Sequence, residues 1–319
     1  MLVQLIDFNR FFKKNLSYDI MSLMIDLHVH STKSDGSLTP TELVEAAASL
    51  PLTTFALTDH DTMDGVDEAI SAAKEATDRG TPVTVIPGVE ISADYLIPYS
   101  NESSEGIHKE IHIVGLYVNQ NHPDFHEYTD NFHKVRDMRN IKMCEALSLD
   151  GYDIYMDELI SHFPDSVITR SHIAELMLEK NYVRSVKEAF ERFIGDHCKY
   201  YIPRKKISAE DAISLIKKAG GIPVLAHPIL YHLGNEQLDI LVHFLKDAGL
   251  EAIEAKYCTY SSSDERKIKE LAGKYNLEIS GGSDYHGEVK PGLMLGKGYG
   301  KLYIDDSVLS DMLKHLGRI

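Results

Sequence analysis

The sequence predicts an α/β protein built from βα units around a mainly parallel sheet, interrupted by a helical insertion. Short strand-like runs alternate with segments of helical periodicity on both sides of the insertion, as expected of βα units. Between about residues 123 and 204 the chain is instead rich in charged and helix-forming residues, with no clear strand. The predicted parts are an N-terminal extension (1–23), a barrel (24–122 and 205–319) and the helical insertion (123–204).

Four strands and two helices are predicted before the insertion. The first helix has the clearest start, because Thr39 is a suitable N-cap, Pro40 occupies the first helical position and Glu42 falls three residues after the cap. The predicted strands are 25–30, 54–58, 83–86 and 111–118, and the second predicted helix is 66–76.

Helical periodicity within the insertion covers 130–149, 170–179 and 186–193. The βα pattern then resumes, and Gly220-Gly221 closes the next helix. The predicted helices after the insertion are 209–219, 238–248 and 263–275, and the predicted strands are 222–226, 252–255 and 278–281. The strand–helix alternation predicts that these strands join the same sheet.

Composition indicates a folded protein with a sizeable core and an acidic surface. Hydrophobic residues make up 43% of the 319 residues and charged residues 26%. The formal net charge of −16 argues against a broad nucleic-acid-binding surface, although it allows a small basic pocket for one phosphorylated substrate. The pattern implies no obligate protein partner.

The cysteines and the hydrophobic runs predict a cytoplasmic protein without a membrane span. The three cysteines are widely spaced and form no CxxC pair, which argues against a disulfide framework or a thiolate zinc site. No run of 18 apolar residues occurs. Residues 1–23 lack the apolar core of a signal peptide, so we interpret them as a short amphipathic extension or, slightly favoured, as the product of an upstream start codon.

Histidine and carboxylate side chains lie beside the ends of the predicted strands. His28 and His30 are two residues apart on one strand and therefore point to the same side; Asp284 and His286 repeat this spacing. The other such residues are Asp35, Asp59, His60, Glu90, His112 and His227. Imidazole nitrogen and carboxylate oxygen bind Zn²⁺, Mn²⁺ or Fe²⁺. Because a βα barrel gathers the carboxyl ends of its strands, we predict one multinuclear metal site.

These motifs together resemble the PHP (polymerase and histidinol phosphatase) family, and most closely its stand-alone, TrpH-type phosphoesterases. The resemblance extends from Met24 to about Tyr303. It rests on DLHVHS at 26–31, SDG at 34–36, TDHD at 58–61, GVEIS at 88–92, HIVGLYV at 112–118, AHP at 226–228 and GSDYH at 282–286. It implies a distorted (β/α)7 barrel with two or three divalent metal ions, Mn²⁺, Zn²⁺ or Fe²⁺, at one end.

The resemblance also implies which residues bind each metal. One metal would be bound by His28, His30, Glu90 and Asp284. A second would be bound by Asp35, His60 and His286. A third would be bound by His112, His227 and Glu90, which would bridge two metals. Asp59 would orient a ligand without binding metal, and His108 remains an alternative to His112.

A segment of the insertion, 169–174, is the predicted substrate-binding element. Arg170 suits a bidentate phosphate contact, and Ser171 and His172 offer further donors near a helix N-terminus. Ser171 is equally interpretable as a cap. A similar segment in TrpH-type proteins reaches over the site as a lid and binds a second, non-reacting phosphate. We interpret Arg136 and Arg139 as a solvated helical face, with a role in substrate binding as the alternative.

The predicted activity is hydrolysis of a phosphomonoester by metal-activated hydroxide, because clustered cations activate water and neutralise phosphoryl oxygens. The resemblance points to the 3′-phosphate of a nucleoside 3′,5′-bisphosphate. One alternative is a 5′→3′ exonuclease acting on short RNA or DNA oligonucleotides. Histidinol phosphatase is a third enzymatic option, and a non-catalytic metal-binding module is the alternative outside enzymes.

Overall fold

The computed structural model describes residues 23–98, 106–164, 166–196, 198–203 and 206–319. Apart from Leu23, the predicted N-terminal extension lies outside these described residues. Among the helices of the described ranges, none is both long enough and apolar enough to cross a membrane.

Seven strands form a nearly closed barrel. The described strands are β1 (Met24–Val29), β2 (Leu52–Leu57), β3 (Thr84–Pro98), β4 (Gly106–Leu116), β5 (Ile207–Ser208), β6 (Ile222–Leu225), β7 (Ala252–Tyr257) and β8 (Glu278–Gly282). Their order is β1-β2-β3-β4-β6-β7-β8, with the short β5 beside β3. The backbone N–H of His30 donates to the carbonyl of Tyr285 at 2.9 Å, which joins the two edges. The predicted distorted α/β barrel is therefore confirmed.

One strand departs from the predicted parallel arrangement. β4 runs antiparallel to both β3 and β6. The reason is that β3 continues well past the predicted end at residue 86 and pairs directly with the next strand of the chain. A Cβ at Gly88 would lie 2.8 Å from the Gly115 carbonyl oxygen and 2.9 Å from Thr58 Cγ2, so glycine permits close packing here.

Helices cover the outside of the barrel and build the insertion. They are α1 (Pro40–Ala48), α2 (Val66–Asp78), α3 (Pro123–Leu149), α4 (Met156–His162), α5 (Arg170–Glu179), α6 (Val186–Ala189), α7 (Ala209–Lys218), α8 (Asn235–Asp247), α9 (Ser262–Tyr275) and α10 (Ser307–His315). The predicted cap of α1 is confirmed, since Thr39 and Glu42 form a reciprocal capping box. The predicted helix 186–193 divides into α6 and a π-helical turn, Phe190–Ile194. Sequence periodicity did not predict α4 or α10.

The barrel and the insertion have separate hydrophobic cores. One set of buried side chains fills the barrel and another packs between the strands and the outer helices. Within the insertion, α3 to α6 and the π-helical turn surround their own core, which includes Met143, Leu147, Ile173, Met177 and Phe193. The insertion therefore packs as a layer of its own beside the strand ends.

Candidate metal centre

The predicted ligand residues meet at one end of the barrel. Each lies on a strand or in the loop that follows one: His28 and His30, then Asp35, His60, Glu90, His112, His227, Asp284 and His286. Glu90 and His112 lie inside β3 and β4, because the two strands form a hairpin. His227 and Asp284 have positive φ values of 30° and 54°. Such strained backbone is common at functional sites, where the surrounding structure maintains it.

Glu90 lies at the centre of this group, with only 1% of its surface exposed. Its Oε1 lies 2.9 Å from His112 Nδ1 and 2.9 Å from His227 Nε2. Its Oε2 faces three more imidazole nitrogens at 3.2 or 3.3 Å, those of His28, His30 and His60. One carboxylate thus links five of the predicted ligands.

Two aspartates complete the cluster. Asp284 Oδ1 lies 3.3 Å from His30 Nε2. Asp35 Oδ1 lies 3.3 Å from His286 Nε2. His108, the alternative to His112, is outside the cluster: its side chain is 70% exposed and contacts Asp94.

Three groups of these side chains could each hold a cation, because the ligand atoms within a group all lie within 4.8 Å of one another. The groups are His28, His30, Glu90 and Asp284; His30, Asp35, His60 and His286; and His60, Glu90 and His112. Among the described residues, His28 Nε2, His30 Nε2, Asp35 Oδ1 and His60 Nδ1 are buried without a hydrogen-bond partner. Each such atom costs about 1–3 kcal/mol. A divalent cation would satisfy them, so the donor set fits metal.

The protonation equilibria of two cluster residues, Glu90 and His60, suit a ligand set, whereas nearby carboxylates act against burial and raise the pKa of His30 to about 9 and that of His112 to about 10. Burial alone would raise the pKa of Glu90, but the imidazoles of His28, His60 and His112 hold that pKa well below its usual range. Burial lowers the pKa of His60 to about 3, against the attraction of Glu90 and Asp35. An ionised carboxylate and a neutral imidazole are the forms that bind metal.

Three supporting residues were not predicted. Glu254 on β7 is buried; its Oε1 lies 3.2 Å from His28 Nδ1, and its Oε2 accepts from the backbone N–H of His227 at 2.7 Å. Tyr257 and Lys290 each donate to Asp284 Oδ2 at 2.6 Å. Glu254 had a readable signal, because it is an acidic residue within an apolar strand, as Glu90 is.

Asp59 braces the loop between His30 and Asp35. It accepts from the Ser31 backbone N–H at 2.7 Å and from the hydroxyls of Ser31 and Ser34 at 2.6 Å each. Ser34 Oγ lies 3.5 Å from His30 Nδ1. Asp59 therefore supports His30 and Asp35 through this loop, and its backbone carbonyl accepts from the N–H of Glu90 at 3.1 Å.

A cavity opens between the cluster and the insertion. Asp35, His60 and His112 line one side, and the other side carries cations, Arg136, Arg139, Arg170 and Lys206. The prediction that Arg136 and Arg139 form a solvated face is wrong, since they are only 4% and 7% exposed. The packing of α3 against the barrel turns this face inward, which helical periodicity alone did not indicate.

The predicted substrate segment divides between the cavity and the core of the insertion. Arg170 and Ser171 line the cavity, and the Ser171 hydroxyl donates to Asp35 Oδ2 at 3.3 Å. His172 has a different position from the one expected. Its Nδ1 accepts from the backbone N–H of Thr169 at 3.2 Å, and its ring stacks on Phe163 with centroids 4.2 Å apart. His172 therefore caps α5.

We expect His172→Gln to change stability in opposite directions at two pH values. Burial lowers the pKa of His172 from 6.5 to about 4. The unfolded chain therefore binds more protons between these values, and the wild type loses about 2 kcal/mol of stability between pH 7.5 and pH 5. Glutamine keeps an acceptor but loses ring stacking, at a cost of about 1 kcal/mol at pH 7.5. Urea unfolding should show the variant less stable at pH 7.5 and more stable at pH 5; an equal difference at both would contradict this.

Comparison with known proteins identifies the family. A family model described as PHP domain matches residues 26–213, more than half of the chain.

The chain belongs to the PHP domain family.

Two relatives and one solved structure are similar to this chain over most of their length. The 5′-3′ exoribonuclease Rnm of Escherichia coli is 33% identical over 86% of this chain and 89% of its own length. The 3′,5′-nucleoside bisphosphate phosphatase of Chromobacterium violaceum is 32% identical over 85% of this chain and 90% of its own. A Bifidobacterium adolescentis protein assigned as a metal-dependent phosphoesterase has a TM-score of 0.76 at 28% identity, covering 92% of this chain and 96% of that chain.

These relatives confirm the predicted class of enzyme. The chain is a hydrolase of the PHP type, whose members are metal-dependent phosphoesterases. The alternative of a non-catalytic module is set aside, because the relatives are hydrolases and the clustered side chains of this PHP chain form groups able to hold cations.

Proposed function

We propose that this PHP protein removes the 3′-phosphate from a nucleoside 3′,5′-bisphosphate in a metal-dependent reaction. One observation carries the proposal: the cavity that reaches His60 and His112 of the cluster is also lined by Arg170. A substrate with two phosphates can therefore bind the cluster with one and the guanidinium with the other. The relative from Chromobacterium violaceum carries this activity in its name.

The cluster would hold two or three divalent cations, bound by the nine residues from His28 to His286 described above. When bound, such cations lower the pKa of water and neutralise phosphoryl oxygens. Nitrogen and oxygen ligands suit Mn²⁺, Zn²⁺ and Fe²⁺ alike, and we propose Mn²⁺ for reconstitution. Glu254 orients His28, and Lys290 fixes Asp284, so both hold the cluster in place.

The contacts of Arg170 preorganise its guanidinium for binding an anionic group. Its Nη1 donates to Asp196 at 2.8 Å, and its guanidinium lies 5.3 Å from the centre of the Tyr201 ring and 5.7 Å from that of Phe190. These contacts fix the planar guanidinium, so that less conformational entropy is lost when it binds phosphate. The Ser171 hydroxyl, on the same helix, donates a hydrogen bond to Asp35.

Replacing Arg170 with alanine tests the second-phosphate contact. We expect KM for adenosine 3′,5′-bisphosphate to rise about 10–100-fold, because a charge-assisted contact contributes roughly 1.5–3 kcal/mol. Hydrolysis of p-nitrophenyl phosphate, which has one phosphate, should stay near the wild-type rate. Phosphate release by the Mn²⁺-loaded enzyme measures both.

Arg192→Ala is the matched control, since Arg192 lies on the same insertion, is 63% exposed and pairs with Glu188. It should leave both substrates unaffected. Equal losses for the two substrates in Arg170→Ala, or none, would remove the bisphosphate assignment.

A second candidate is a 5′→3′ exonuclease acting on short oligonucleotides. The supporting observation is that Arg136 and Arg139 extend the cationic lining beyond Arg170. A relative is named for this activity. Digestion of a 5′-phosphorylated tetranucleotide, followed by chromatography of the products, would separate it from the phosphatase.

The three described cysteines are free, and a cytoplasmic location stays a prediction.

A further inference from the structure

Glu110 stands between the metal-ligand cluster and the cations of the cavity. It lies on β4 two residues before His112, so both side chains point to the same side of the strand. Its Oε1 lies 3.5 Å from His112 Nε2 and 3.8 Å from an Arg170 Nη2, and its Oε2 pairs with Lys206. Its side chain is only 22% exposed, so water screens these contacts weakly.

The carboxylate of Glu110 uses the donors that a phosphate would need. Lys206, with its side chain 10% exposed, pairs with Glu110. Among the described residues, Arg170 has one further ion-pair partner, Asp196, whose side chain is 53% exposed and therefore well screened. A phosphate that binds Arg170 and Lys206 must displace Glu110 or lie beside its negative charge. Like charges at this distance repel, which weakens binding.

We propose that Glu110 is a specificity-determining residue that competes with phosphate for Arg170 and Lys206. A phosphate then binds these cations well only when the same molecule also occupies the cluster around Glu90, which supplies the second point of attachment. Bisphosphates are favoured, and a 5′-monophosphate product is expelled. This inference rests on the proposed function, because it assigns the cations to the non-reacting phosphate.

Glu110→Gln in the Mn²⁺-loaded protein tests the competition. We expect AMP, measured by calorimetry, to bind at least about tenfold more tightly, because glutamine keeps the size of the side chain and removes its charge. Glu188→Gln is the matched control: Glu188 is also 22% exposed and also pairs with an arginine, Arg192. It should leave AMP affinity unchanged.

A double-mutant cycle shows whether the effect passes through the cations. In a background that carries both Arg170→Ala and Lys206→Ala, Glu110→Gln should change AMP affinity by less than about threefold. An unchanged or weaker affinity of Glu110→Gln with full metal content would overturn the proposal. Weaker affinity with lost metal would also overturn it, by assigning Glu110 to support of His112. The proposed function fails separately, if the wild type does not turn over adenosine 3′,5′-bisphosphate.

Discussion

Glu90→Gln is expected to lower phosphate-ester hydrolysis by about 10³-fold or more and to release bound metal. Glu90 is buried, and its two oxygens face five imidazoles. Breaking a buried charge interaction costs about 3–5 kcal/mol, and about 4 kcal/mol corresponds to 10³ in rate. Glutamine keeps the volume, so the loss reports on charge and ligation. Steady-state kinetics and metal analysis of the dialysed protein measure the two effects.

Glu254→Gln is the control for this prediction. Glu254 is also a buried strand glutamate, but in the described part of the chain its side chain hydrogen-bonds to one predicted ligand side chain, His28, and to the backbone of His227. Loss of such an orienting contact typically costs 10–100-fold in metal affinity or activity. A Glu90→Gln variant that retained more activity and more metal than Glu254→Gln would show that Glu90 is not the central ligand.

Removal of metal is expected to destabilise the barrel as well as to abolish activity. Without cations, buried atoms such as His28 Nε2 and Asp35 Oδ1 lack hydrogen-bond partners in the described part of the chain. A ligand present at about 1,000 times its Kd adds about 4 kcal/mol to the free energy of unfolding. We therefore expect EDTA-treated protein to have a lower Tm, restored by Mn²⁺.

The Glu90→Gln variant supplies the control, because its Tm should respond less to Mn²⁺. Equal melting temperatures for the EDTA-treated and Mn²⁺-loaded wild type would be incompatible with a metal centre that is part of the folded structure. Loss of activity without a change in Tm would leave catalysis as the role of the metal.

Sequence pattern was sufficient where the information is local or repeats with a short period. The reciprocal cap of Thr39 and Glu42, the start of α5 at Arg170 and the strand that bears His28 and ends just before His30 could all be predicted. These features depend on residues at most a few positions apart. The family motifs also predicted the fold, because all of them occur together in one chain.

Tertiary structure decided what depends on residues far apart in the chain. The antiparallel direction of β4 follows from the length of β3. In the sequence, Pro87-Gly88 suggested that this strand ends at residue 86, so its full length was not predicted. The sequence by itself predicted the candidate metal ligands and, through the family motifs, the class of enzyme. Three features were decided only by the packing of the insertion against the strand ends. Arg136 and Arg139 face the cavity, His172 caps a helix, and Glu110 lies close to Arg170. The sequence did not show them, because the contacting segments have no fixed spacing along the chain.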